Sequence, residues 1–179
     1  IPRTLALGFF SEVTITTLTH KPKNRLLVKT WLVTPSRFQK SDTWIKKQLK
    51  TGSKIFVIVP LINQSEKMEG LANVNKIRKI YQEKFGKADT KVAAIHGQME
   101  QKTIDKELEI FKGVKSGILV STSLIEVGID IPEADIIIIH SAERFGLAQL
   151  HQLRGRVGRG DRQSYCLLVP TTDEQEETA

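Results

Sequence analysis

Gln152, Arg156 and Arg159 stand in the run Gln152-Leu153-Arg154-Gly155-Arg156-Val157-Gly158-Arg159-Gly160, the stretch whose composition most needs a chemical reason. Five of the nine arginines (Arg144, Arg154, Arg156, Arg159 and Arg162) fall within nineteen positions, whereas the lysines are scattered. A guanidinium is a rigid fork of donors that matches phosphate oxygens two at a time. Each interior glycine costs a helix about 1 kcal/mol relative to alanine. A helix over 147–157 should therefore dissolve into Gly158-Arg159-Gly160. Three positions apart, Arg156 and Arg159 would share one side of that helix end. Arginines brought to a transferring γ-phosphoryl group would stabilise the charge developing there. The alternative is a generic solvated basic face.

Smaller polar groups recur after apolar runs. His96-Gly97-Gln98 follows Val92–Ile95, Ser121-Thr122-Ser123 follows Ile118–Val120, and His140-Ser141-Ala142-Glu143-Arg144 follows Ile136–Ile139. His96-Gly97 can bring backbone N–H groups close to a phosphate, or be a plain turn. Thr122 can set a hydroxyl and an N–H at a helix N-terminus, or be an ordinary cap. Asp130, in Val127-Gly128-Ile129-Asp130-Ile131-Pro132, can accept from a ribose or cap its own turn. Recurrence after three successive runs suggests a phosphate-binding rim.

The elements that must position these groups are legible. Leu26–Val33, Lys54–Val59, Val92–Ile95, Gly117–Val120, Ile136–Ile139 and Tyr165–Val169 read as strands. Asp42–Leu49 reads as a helix, with Ser41 or Asp42 as N-cap and Gly52 just past its end. Lys67–Phe85 reads as a helix burying Leu71, Val74, Ile77, Ile80, Tyr81 and Phe85, and 100–111 as one burying Ile104, Leu108 and Phe111. The central strands are continuous apolar runs, so both their faces must be covered. Alternating with helices, they predict an α/β fold: a mostly parallel sheet with helices on both faces, three layers deep. Ligands in such sheets lie beyond the carboxyl ends of the strands, where the polar groups recur.

The chain has 179 residues, enough for one domain with a proper core. Its net charge of +7 suits a polyanionic partner. No apolar run approaches the ~18 residues of a membrane span, so no membrane association is expected. No secretory pattern is visible and Cys166 is the single cysteine, which makes a reducing, cytoplasmic setting the expectation. The four histidines show no ligand spacing, so no metal site is expected.

The residues also match a family. Gln152-Leu153-Arg154-Gly155-Arg156-Val157-Gly158-Arg159 resembles motif VI of superfamily 2 helicases, and the run from Ser121 to Pro132 resembles motif V. The longer string from Ala142 to Gly160 narrows the resemblance to the RecG and Mfd branch. Val59-Pro60-Leu61-Ile62 and Gln163-Ser164-Tyr165-Cys166-Leu167-Leu168 favour the RecG type. The resemblance implies a RecA-like domain, the second motor domain of an ATP-dependent double-stranded-DNA translocase that remodels branched and forked DNA in recombination and repair. It implies that residues 1–25 are the tail of a first motor domain and a linker, 26–170 the second RecA-like domain, and 171–179 the start of a C-terminal extension.

By the same resemblance Arg156 and Arg159 reach the ATP phosphates, with Arg159 as arginine finger. Gln152 senses the γ-phosphate, Gly128 and Asp130 meet the ribose side, and His96, Gly97 and Thr122 hold DNA backbone phosphates. Gln98 stands where the RecG type commonly has Arg, and Ser123 replaces a usual Thr. Nothing fits G-x-x-x-x-G-K-[ST], and no Asp-Glu pair ends a strand to hold Mg²⁺. ATP and Mg²⁺ therefore require the first RecA-like motor domain as partner, and the chain alone is expected to bind neither and to be inactive. Two other readings are the corresponding domain of a transcription-repair coupling factor and a non-catalytic RecA-like nucleic-acid-binding module. A pure binder would show aromatic stacking platforms, and most of the eleven aromatic residues here sit in apolar runs or on a helix face.

Overall fold

The computed structural model describes residues 26–60, 67–86, 90–122, 134–158 and 160–173. The element order is β1 (Lys29–Leu32), α1 (Pro35–Gln39), α2 (Asp42–Lys50), β2 (Lys54–Val59), α3 (Lys67–Phe85), β3 (Thr90–Ile95), α4 (Gln101–Gly113), β4 (Ser116–Thr122), β5 (Ile136–His140), a 3₁₀ turn (Ala142–Arg144), α5 (Leu147–Arg154) and β6 (Tyr165–Val169). The six strands form one sheet in the order β1-β6-β5-β2-β4-β3, and every pairing is parallel.

Alternation along each strand divides the core in two. In β2, Phe56 and Ile58 point into one half, with Ile104, Leu108 and Phe111 of α4 and Leu153 of α5. Ile55, Val57 and Val59 point into the other, with Ile45 and Leu49 of α2 and Val74, Tyr81 and Phe85 of α3. Both faces of the central strands are thus dry, which is why those strands read as unbroken apolar runs. Burying each such side chain contributes roughly 1.5–3 kcal/mol. Phe56 stacks on Phe111 at 5.9 Å between centroids.

Helix α2 ends as its sequence indicates. Gly52 takes φ 88°, Gly52 N–H donates to the Leu49 carbonyl and Ser53 N–H to that of Gln48, the two bonds of a Schellman stop. Two local expectations shift, and one short helix was not foreseen. Ile80 is exposed rather than part of the buried α3 stripe. The five-residue α1 has no sequence period and starts on Pro35, whose missing N–H costs nothing at a first helical position. Helix α5 stops at Arg154 rather than Val157, with Gly155 as its C-cap.

At the β1 edge, Trp31 meets Trp44 of α2 at 6.4 Å and Tyr165 of β6 at 5.3 Å, and Trp44 meets Tyr165 edge-on at 5.3 Å. Trp31 remains 45% exposed, an aromatic surface that the sequence pattern did not show. Among the described residues no helix is long and apolar enough to cross a membrane.

Candidate nucleotide and nucleic-acid site

Strands β3 and β4 lie side by side, with Ile95 opposite Ser121, so His96 and Thr122 leave the sheet as neighbours. His96 opens a turn closed by Met99 N–H donating to its carbonyl at 3.0 Å, and Glu100 then starts α4. Gly97 is exposed in that turn. Thr122 is the last residue of a wholly buried strand and is itself 1% exposed. Two buried side-chain atoms among the described residues have no hydrogen-bond partner: His96 Nδ1 and Thr122 Oγ1. Leaving such a group unpaired costs about 1–3 kcal/mol. That both atoms sit on one corner of the sheet is what a site built for an outside oxygen would show. Burial holds the His96 imidazole below the ordinary histidine range. At neutral pH it therefore offers an N–H rather than a full charge.

The third strand end behaves differently. His140 Nε2 and Tyr81 Oη share a hydrogen bond of 3.1 Å, and Phe38 meets the His140 ring edge-on. Burial pushes His140 down to about 4. Burial and, less, Asp42 push the Tyr81 hydroxyl up beyond its ordinary range. Ser141 turns the chain with φ 50°, and Glu143 accepts from Thr171 N–H at 3.2 Å and from the Thr171 hydroxyl, tying the 3₁₀ turn to the end of β6. The expected rim of three strand ends thus contracts to two, because the polar groups of the third satisfy one another.

The arginine segment lies elsewhere again. Gly146 N–H donates to Gln149 Oε1 at the start of α5, and the helix runs back along the sheet. Leu153 anchors it in the core. Beyond Gly155, Val157 forms a parallel bridge with Ala134, just before β5, which sets this end of the segment beside the amino end of that strand. Gln152 is exposed on α5, and Arg156 is half-buried and forms no ion pair with a described residue. Arg156 lies past the helix, so the shared helical side expected for Arg156 and Arg159 is not the arrangement found. A guanidinium without an ion pair to a described residue fits an anionic phosphate.

Gly158 holds φ 80°, and a Cβ there would come within 2.7 Å of Val28 Cγ2, so glycine is required both by conformation and by space. Arg162, from the same arginine cluster, is structural: it bonds Asp135 at 3.5 Å and Thr51 Oγ1 at 3.0 Å. The structure brings together His96, Gly97 and Thr122, and sets Gln152 and Arg156 apart from them. Gly128, Asp130 and Arg159 lie outside the described residues.

Comparison with known proteins extends this picture. The chain is 43% identical over 176 residues to the ATP-dependent DNA helicase RecG of Streptococcus pneumoniae, covering 97% of this chain and 26% of that protein. It is 44% identical over 169 residues to RecG of Aquifex aeolicus, covering 94% and 21%. The chain thus spans about a quarter of the length of the curated relatives it matches. Its structure superposes on RecG bound to a three-way DNA junction with TM-score 0.75 and 36% identity, over 99% of this chain and 22% of that one. A profile described as the helicase conserved C-terminal domain matches residues 38–161, a span that runs from α1 through the arginine segment. The profile match covers more than half of the chain and agrees with the all-parallel sheet: the chain belongs to the helicase conserved C-terminal domain family.

Proposed function

We propose that this chain is the second motor domain of an ATP-driven translocase acting on branched or forked DNA, with residues 26–170 as the folded unit. The observation that carries the reading is the likeness over 99% of the chain to RecG held on a three-way DNA junction. The relatives reported above carry the RecG name, which supports this branch over a transcription-repair coupling factor.

His96, Gly97 and Thr122 hold DNA backbone phosphates. Contacts to phosphate carry no sequence information, which suits a motor that must move along any sequence. Gln152, Arg156 and Arg159 face the nucleotide from the arginine segment, and Gly128 and Asp130 meet its ribose side. ATP with Mg²⁺ supplies the phosphoryl group whose loss drives movement. The first motor domain supplies the phosphate-cradling loop and the Mg²⁺-holding carboxylates that this sequence lacks. The part played by this chain is to orient the phosphates and to neutralise charge as the bond to the γ-phosphoryl breaks.

The test is the ATPase rate of this chain mixed with a separately made first motor domain, with and without branched DNA. Turnover in the mixture, absent from either half and removed by Arg159→Ala, is the expected result. In the complete enzyme Arg159→Ala should lower turnover by about 10³–10⁵. A mutant that keeps a tenth of the normal rate sinks the arginine-finger assignment.

A further inference from the structure

The lysines that look scattered in the sequence are gathered by the fold. Helices α1, α2 and α3 cover one face of the sheet, α4 and α5 the other. Between 35–50 and 73–85 the first layer exposes nine lysines and arginines against two carboxylates, Asp42 and Glu83. Helix α4, on the second layer, balances three lysines with Asp105, Glu107 and Glu109. With Arg154 of α5, the described residues of the second layer's helices carry four lysines and arginines against three carboxylates, so among the described helix residues the excess positive charge lies on the first layer.

The pairing pattern points the same way. Lys84 is bound to Asp42 at 2.9 Å. Lys46, Lys47, Lys50, Lys76, Arg78 and Lys79 are exposed and form no ion pair with a described residue. Lys47 and Lys50 complement the C-terminal dipole of α2. Lys46, Lys76, Arg78 and Lys79 sit away from the last turns of their helices and serve no such end. Like charges gathered on one layer repel one another, and a counter-charged polymer removes that repulsion while releasing its own condensed ions.

We infer that the outer face of α2 and α3 is a second nucleic-acid surface, which holds the phosphate backbone of duplex DNA without reading its sequence. It lies on a face of the sheet, apart from the strand-end corner of His96 and Thr122, and it does not depend on the motor reading. Among the described residues neither helix exposes an aromatic ring on which a base could stack, so these cations suit a duplex backbone rather than splayed bases.

The experiment compares two double charge reversals of equal size in this chain: Lys76→Glu with Lys79→Glu on α3, and Lys102→Glu with Lys106→Glu on α4. Binding of a short DNA duplex is measured over a salt series, with circular dichroism confirming that each variant folds. The α3 pair should lose at least about tenfold in affinity and flatten the log–log salt slope by roughly two, whereas the α4 pair should stay within about threefold of the parent. Equal losses from both pairs would reduce the effect to net charge and overturn the inference, as would an α3 pair that binds like the parent. Displacement of the duplex by polyglutamate as readily as by a second duplex would assign the face to an acidic polypeptide and overturn it as well. A strand-end variant, Thr122→Val, loses affinity separately if both surfaces hold DNA, so failure of one reading leaves the other standing.

Discussion

Along the carboxyl edge of the sheet, the β3–β4 corner and the β5–β6 corner treat the same kinds of residue in opposite ways. Each has a histidine just at the end of a strand and hydroxyl-bearing residues beside it. At β5–β6 the histidine bonds Tyr81, and Glu143 bonds Thr171, so the polar groups are consumed in closing the fold. At β3–β4 His96 Nδ1 and Thr122 Oγ1 are buried and unmatched. A polar group at a strand end is therefore no guide to ligand binding by itself. What sets the β3–β4 corner apart is a cost that the described fold leaves uncompensated.

The sharpest way to break this contrast is pH. The unfolded His140 ring takes up a proton near pH 6.5, the folded one only near 4. Its contribution to stability is thus complete above pH 6.5 and is lost as pH falls through 4, up to about 3 kcal/mol in all. Denaturant melts of the parent and of His140→Gln between pH 7 and 4 should show a steeper acid loss in the parent. Parallel curves would mean that the buried pair does not resist protonation.

Tyr81→Phe comes next. It strands His140 Nε2 in a buried setting and should cost about 1–3 kcal/mol in the same melts, with duplex affinity unchanged. Thr122→Val gives the smallest and most telling stability change. It replaces an unmatched buried hydroxyl by a methyl group of similar shape, so stability should hold or rise by up to about 1 kcal/mol while DNA affinity falls. A Thr122→Val chain destabilised as much as Tyr81→Phe would erase the distinction between the corners.

The strands were legible because burial on both faces leaves unbroken runs such as Ile136–Ile139, which a half-buried strand or a surface helix would interrupt with polar residues. The end of α5 was not legible. Leu153-Arg154-Gly155-Arg156 carries acceptable helix formers on both sides of Gly155, and only the tertiary bridge from Val157 to Ala134 draws the chain away. Nor could the role of His140 be read, since its partner lies 59 positions earlier. His96 and Thr122 could be nominated from their places after strands, but their lack of partners is a property of the packed corner. The basic layer was invisible for the same reason. Its cations come from two helices separated by a strand, and only the sheet places those helices side by side.

The two tryptophans of the chain, Trp31 and Trp44, share one corner with Tyr165 at the β1 edge of the sheet. Tryptophan fluorescence, excited above the tyrosine band, is therefore a local signal that reports on that corner. Strand β3, with His96 at its end, forms the opposite edge. A phosphate settling at His96 and Thr122 should leave the emission unchanged, while a duplex lying along α2 beside Trp44 should shift or quench it. The molecule thus carries its own optical means of telling which of the two proposed surfaces is occupied.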